Sequence, residues 1–167
     1  MILIGLGSNL GDSPEVVLQA MSQLSVFALP DTLVCSRLWQ TSPVDCPPDS
    51  GLFINAAVAF EAIEGLTPEG LLRELKELER AFGRGQKIVR NAPRELDLDL
   101  LVFNSERRDE TDFVLPHPRA TQRLFVLAPL AEVAGDVQWP GTGCSIQELL
   151  DGLETDEQVT PLSTGVA

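Results

Sequence analysis

Two aspartates, Asp97 and Asp99, stand in the run RNAPRELDLDL at residues 90–100, interleaved with Leu96, Leu98 and Leu100. Side chains of a strand alternate between its faces, so a strand here turns the leucines one way and Glu95, Asp97 and Asp99 the other. Such a face is either a solvated acidic surface or a carboxylate pair that holds a hard cation such as Mg2+. Two carboxylates about 6 Å apart repel by roughly 3 kcal/mol at an effective dielectric of about 20, so the pair needs water, a cation or an arginine.

Cations are near in sequence. Of twelve Lys and Arg residues, eight fall between positions 84 and 123: Arg84, Lys87, Arg90, Arg94, Arg107, Arg108, Arg119 and Arg123. The chain as a whole carries a net charge of −13, which repels nucleic acid and anionic membrane surfaces. An acidic chain that gathers its cations into one stretch is suited to a small polyanion. Metal plus polyphosphate therefore explains both clusters together, because Mg2+ uses one or two carboxylates and fills its shell with phosphate oxygens and water.

Other candidates each have a plain structural alternative. GLGSNLGD fails the dinucleotide fingerprint, since Gly5, Gly7 and Gly11 give GxGxxxG; it reads as a loop of positive φ closing a strand-to-helix turn, or as a loop touching ligand. His117, held between prolines in LPHP, is a lone loop histidine or, with Arg119 and Arg123 close by, a phosphate contact. Phe53 and Phe125 serve either the core or ring stacking on a ligand. Glu79 lies one residue off the apolar stripe of its helix and is either a solvated acid or a rim acid meeting ligand or Arg84.

The elements that must position these residues follow from pattern. Residues 2–6 read as a strand, and a helix starts at Asp12 or Ser13 with Val17, Ala20, Met21 and Leu24 at helical spacing, ending before Pro30 and Asp31. Residues 32–41 and 53–62 read as strands separated by the loop SPVDCPPDSGL. A second helix is capped by Thr67, opens on Pro68, carries Leu71, Leu75, Leu78 and Phe82 on one stripe and stops at Gly83. The acidic run supplies a strand over 96–104; a proline-bracketed turn, a helix in FVLAPLAEVA and a short helix around SIQELLDGL follow.

Strand, helix, strand, strand, helix, strand is the split βαβ order, so the expected fold class is α+β with a ferredoxin-like βαββαβ core, an antiparallel-rich sheet and extra C-terminal helices. A chain of 167 residues is expected to form a single domain over 1–167 with a short acidic tail from about 151. Cys35, Cys46 and Cys144 show neither a metal pattern nor a pairing, which fits reduced thiols in a cytoplasmic protein. The N-terminal apolar run is too short for a signal peptide or membrane span. A monomer is expected, with small-molecule partners, no nucleic acid and no membrane.

GLGSNLGD, FINAAVAFE, the pair Gly83–Arg84, RNAPRELDLDLLVF and LPHPRATQRLFVLAPLAEVA, in this order and spacing, closely resemble the 6-hydroxymethyl-7,8-dihydropterin pyrophosphokinase family of folate biosynthesis. The likeness runs to about residue 150, and PRELDLDLL and LPHPR are its most specific parts. It implies a ferredoxin-like fold and transfer of the β,γ-diphosphate of ATP to the pterin hydroxymethyl group, releasing AMP, with ATP as co-substrate and two Mg2+ ions. Residue by residue, the resemblance implies that Asp97 and Asp99 bind metal. It implies further that Arg84, Arg94, His117 and Arg123 contact the nucleotide and phosphates, Arg84 and Arg94 as catalytic groups, and that Lys76 and Glu79 lie near the adenosine.

For the pterin, the resemblance implies Thr41, Ser42 and Val44, largely through backbone groups, Asn55 on the polar edge, and Phe53 and Phe125 on the two ring faces. Gln86 stands where the family commonly has a second arginine and Asn91 where it often has an aromatic residue; Arg90 or Lys87 can supply the missing charge. Two functions of other classes share parts of this pattern. One is a metabolite-binding regulatory module, which needs no paired aspartates beside arginines. The other is a metal-dependent nucleotidyltransferase, which releases pyrophosphate instead of AMP.

Overall fold

The computed structural model describes residues 1–9, 13–41, 53–83 and 96–162. Eight strands and four helices are described: β1 (Ile2–Ser8), α1 (Ser13–Gln23), β2 (Val34–Cys35), β3 (Trp39–Thr41), β4 (Phe53–Phe60), α2 (Pro68–Ala81), β5 (Asp97–Phe103), β6 (Arg108–Glu110), β7 (Phe113–Leu115), α3 (Leu124–Ala134), α4 (Ile146–Gly152) and β8 (Val159–Pro161). The main sheet runs β5-β1-β4-β3-β8, with β2 also on β4, and every pairing in it is antiparallel. With β2 and β3 taken as one interrupted strand, this is the expected ferredoxin-like order.

The alternation in the acidic run holds. Leu96, Leu98 and Leu100 are buried with Ile2, Ile4 and Leu6 of β1 and with Val17, Leu71 and Leu75 of α1 and α2. Each fully buried leucine contributes roughly 1.5–3 kcal/mol. The opposite face carries a second core, in which Leu3, Ala57 and Leu101 of the sheet meet Leu127, Leu130 and Ile146 of α3 and α4. A register shift between Leu3 and Ile4 against β5 marks where the acidic half of β5 gives way to the fully apolar half.

Helix α2 matches its sequence signals. Thr67 Oγ1 accepts from the Gly70 N–H at 3.0 Å, Pro68 opens the helix, and Gly83 leaves it at φ 89°. Helix α4 has a capping box between Ser145 and Glu148.

Four expectations need correcting. The strand expected over 32–41 is two short strands, because Ser36 spends its hydroxyl on the Ala57 N–H and the Arg37 carbonyl and interrupts the ladder between them. The glycines Gly5 and Gly7 lie inside β1, which extends to Ser8; neither has positive φ, so the loop reading fails for both. The tail after 151 includes a sheet strand, β8. The hairpin β6–β7 was not anticipated; Arg108 ties it to Glu69 in the first turn of α2.

Among the described residues, no helix is long and apolar enough to cross a membrane.

Candidate active site

The site face is the end of the sheet beyond the cover of α3 and α4. Asp97 is in register with Gly7, Gly7 with Asn55, and Asn55 with Trp39; one pleat along, Asp99 pairs with Gly5 and Gly5 with Ala57. Neighbouring strands lie about 4.8 Å apart, so the Asp97 and Asn55 backbones are roughly 10 Å apart across the sheet. The strand between them offers no side chain in either row. A Cβ added at Gly7 would stand 3.0 Å from Asn55 Nδ2. Glycine weakens a strand, and its use here lets neighbouring side chains lie over the backbone, Asn55 over Gly7 and Leu101 over Gly5.

Asn55 is buried and its amide is oriented on both sides. Thr41 Oγ1 donates to Asn55 Oδ1 at 2.6 Å, and Asn55 Nδ2 reaches the Leu6 carbonyl at 3.5 Å. An amide so held still has one N–H and one lone pair to offer a ligand edge. Phe53, two residues earlier on β4, shares its face and is half-buried.

Burial and mutual repulsion set the character of the acid pair. Both aspartates are half-buried. The Asp99 carboxyl is held well above the usual carboxylate range, first by burial and then by repulsion from Asp97 and Glu79, with Lys76 and Arg123 offsetting part of it. Glu79 is not the solvated acid that its position off the stripe allows; it is 2% exposed. Its Oε2 accepts the Leu98 N–H at 2.7 Å, and its Oε1 lies 3.5 Å from Lys76 Nζ. The residue it grips is the one between the two aspartates.

His117 comes to the same neighbourhood. Its backbone N–H donates to the Leu101 carbonyl at 2.9 Å, docking the loop on β5. Its Nδ1 accepts the Arg119 N–H at 3.3 Å, so in the neutral ring the proton is assigned to Nε2. Burial, then Arg123 and Arg119, push its pKa down to about 4, leaving a neutral donor at pH 7. Arg123 stands over the Phe125 ring, 5.5 Å to the centroid, just where α3 begins.

The structure thus gathers Asp97, Asp99, Lys76, Glu79, His117 and Arg123 into one electrostatic neighbourhood and sets Thr41, Asn55 and Phe53 beside it on the same face. Arg84, Arg94, Ser42 and Val44 lie outside the described residues, as do Gln86, Asn91, Lys87, Arg90 and Cys46. Sequence reasoning missed that Gly7 and Gly5 make room on this face for Asn55 and Leu101. The signal was available: two glycines spaced by two on a strand share one face.

Among the described residues, no group of three or more His, Cys, Asp or Glu side chains forms a metal cage of its own. An acid pair still suits Mg2+, which takes one or two carboxylates and draws its remaining oxygens from phosphate and water.

An α+β sheet with acids, a fixed amide and cations at one open end is the framework of a phosphoryl-transfer site. The family described as 7,8-dihydro-6-hydroxymethylpterin-pyrophosphokinase matches residues 3–135, and the chain belongs to it. The 2-amino-4-hydroxy-6-hydroxymethyldihydropteridine pyrophosphokinase of Bacillus subtilis is 37% identical over 145 residues, covering 87% of this chain and 84% of that one. The protein of the same name from Synechocystis is 32% identical over 164 residues, 98% and 81% of the two chains. The chain also matches the folic acid synthesis protein fol1 of Pneumocystis carinii at 33% identity, spanning 21% of that longer protein. Among solved structures, a Plasmodium falciparum HPPK-DHPS superposes with a TM-score of 0.66 at 13% identity over 90% of this chain and 42% of that one, a likeness of fold.

Proposed function

We infer that the protein transfers the diphosphate of ATP to 6-hydroxymethyl-7,8-dihydropterin, giving AMP and the pterin diphosphate, as a step in folate biosynthesis. Family membership supports the activity. The observation that carries the reading at the level of residues is the row Asp97, Gly7, Asn55: a carboxylate for the phosphate side and an oriented amide for the ring side, on backbones roughly 10 Å apart with no side chain on the strand between them. A pterin ring is flat with a polar edge. Asn55, oriented by Thr41, reads that edge while Phe53 and Phe125 stack on its faces. The hydroxymethyl arm then points over Gly7 toward Asp97.

On the phosphate side, Asp97 and Asp99 would hold two Mg2+ ions, with Lys76, Arg123, Arg84 and Arg94 facing the polyphosphate. Bound there, Mg2+ would supply charge neutralisation on the phosphate oxygens and polarise the attacking hydroxyl. His117 donates Nε2–H to a phosphate oxygen as a neutral group. Glu79 holds the Leu98 backbone and so the pitch of both aspartates, while its place on α2 keeps it near the adenosine. The hydroxymethyl oxygen bonds to the β-phosphorus and loses its proton; the bond from that phosphorus to the α-phosphate oxygen breaks, and AMP leaves with the electron pair.

The deciding experiment is product identification from ATP and the hydroxymethyl pterin. AMP with the pterin diphosphate is expected. Release of pyrophosphate, with the nucleotide attached to the acceptor, would establish a nucleotidyltransferase instead. ATP binding without turnover would establish a regulatory module.

A further inference from the structure

The segment after α4 lies outside the residues that the family matches, 3–135, yet it touches both sides of the ring-binding end. Val159 pairs with Thr41, the residue that orients Asn55, and the Leu162 N–H donates to the Leu38 carbonyl at 2.8 Å. Two residues before this strand meets β3, the chain crosses to the start of α3. There, Glu157 Oε2 accepts the Leu124 N–H at 2.8 Å. Leu124 is the first residue of α3, and Arg123 before it provides no side-chain cap. A helix start leaves its first N–H groups unsatisfied, and a carboxylate there also meets the positive end of the helix dipole. The cap that α3 lacks locally therefore arrives from 33 residues downstream.

The residues so pinned are Arg123 and Phe125, in ring contact with each other on either side of Leu124. The Thr155 hydroxyl accepts the Glu157 N–H at 3.2 Å, which shapes the approach of the carboxylate. Leu162 packs into the main core and anchors the far end.

We propose that residues 155–162 form a strap spanning the pterin cleft from β3 to the first turn of α3, and that Glu157 is the positioning residue that sets Phe125 against Asn55. This rests on the reading that Thr41, Asn55 and Phe125 bind the pterin. Glu157 touches no reacting atom. Its loss removes no phosphate-binding group, and Arg123 still reaches the phosphates on its long flexible side chain, but the ring-stacking wall drifts, which weakens pterin binding more than turnover.

Steady-state kinetics and calorimetric titration with the hydroxymethyl pterin, on the full chain carrying Glu157→Ala, Glu157→Gln or Asn55→Ala, test this. Glu157→Ala is expected to raise the pterin KM about fivefold, the order expected for a lost helix cap, with kcat changed less than about twofold. Glu157→Gln is expected to restore wild-type KM, because its amide oxygen accepts the same bond. An unchanged KM in Glu157→Ala, with or without a lower Tm, would overturn the proposal, as would a Gln variant no better than Ala. If Asn55→Ala leaves pterin affinity intact, the cleft assignment itself fails and the strap proposal falls with it.

Discussion

The two faces of the central sheet are filled differently. Toward α1 and α2, Ile2, Ile4, Leu6, Leu98, Leu100 and Val58 make an apolar layer along the whole length of the strands. Toward α3 and α4 the apolar layer stops at Leu3, Ala57 and Leu101, and the next rows hold aspartate, glycine, asparagine and threonine. The strands are the same on both sides, so the backbone of the site is held by a core it does not share side chains with. Apolar cover runs the full length of one face, and the end of the other beyond its own core is free to carry groups that folding alone would disfavour.

Substitutions that separate the two faces sharpen this contrast. Asp97→Ala is expected to lower kcat about a thousandfold or more while Tm stays within a few degrees, a loss of order 4 kcal/mol in transition-state stabilisation. Near-normal turnover in that variant would break the metal assignment, and a large fall in Tm would mean that the acid face helps hold the fold. Gly7→Ala follows. The new methyl presses on the Asn55 amide, so pterin KM should rise roughly tenfold with ATP affinity unchanged, an effect of about 1.4 kcal/mol.

Asp99→Asn in chelated, metal-free protein should raise stability at pH 8 by roughly 1–2 kcal/mol. The native carboxyl holds its proton to higher pH than the unfolded one, so ionising it costs stability as pH rises above its ordinary range, and the amide removes that cost. Denaturant titration at pH 5 and pH 8 measures it; equal stability of wild type and variant at pH 8 would show that the aspartate is not strained.

The smallest effect concerns His117, whose native pKa of about 4 lies below the ordinary 6.5. Between those values the unfolded chain binds a proton that the native ring refuses, so stability falls as pH drops from 6.5 toward 4. His117→Gln should remove about 1 kcal/mol of that slope after allowance for its partial exposure.

What was legible in the sequence tracks the same division. The leucine periodicity of β5 and α2 and the caps at Thr67 and Gly83 are local signals, and they placed the elements of the apolar face. On the other face, the LDLDL alternation of residues 96–100 marked the acid row, but not how it meets Glu79 of α2 or the loop of His117. Burial of Glu79 depends on the edge of β5 lying across α2, a tertiary fact with no periodic trace. Glycine in isolation signals turns, so Gly7 reads as a loop former just past the strand over 2–6; that Asn55 and Leu101 lie over Gly7 and Gly5 emerges only when β4 and β5 are laid on either side. Val159–Pro161 is too short a strand to show any pattern, and Glu157 was indistinguishable from the other acids around it.

The grip of Glu79 on the Leu98 N–H has a second outcome. Among the described residues β5 is the outermost strand on its side of the sheet, and the Leu101 carbonyl is taken by the His117 N–H as the Leu98 N–H is by Glu79. Two backbone groups that would otherwise invite pairing by a foreign strand are thus occupied from within the chain. The contacts that aim the acids therefore also guard against edge-to-edge aggregation, and replacing Glu79 would cost solubility as well as geometry.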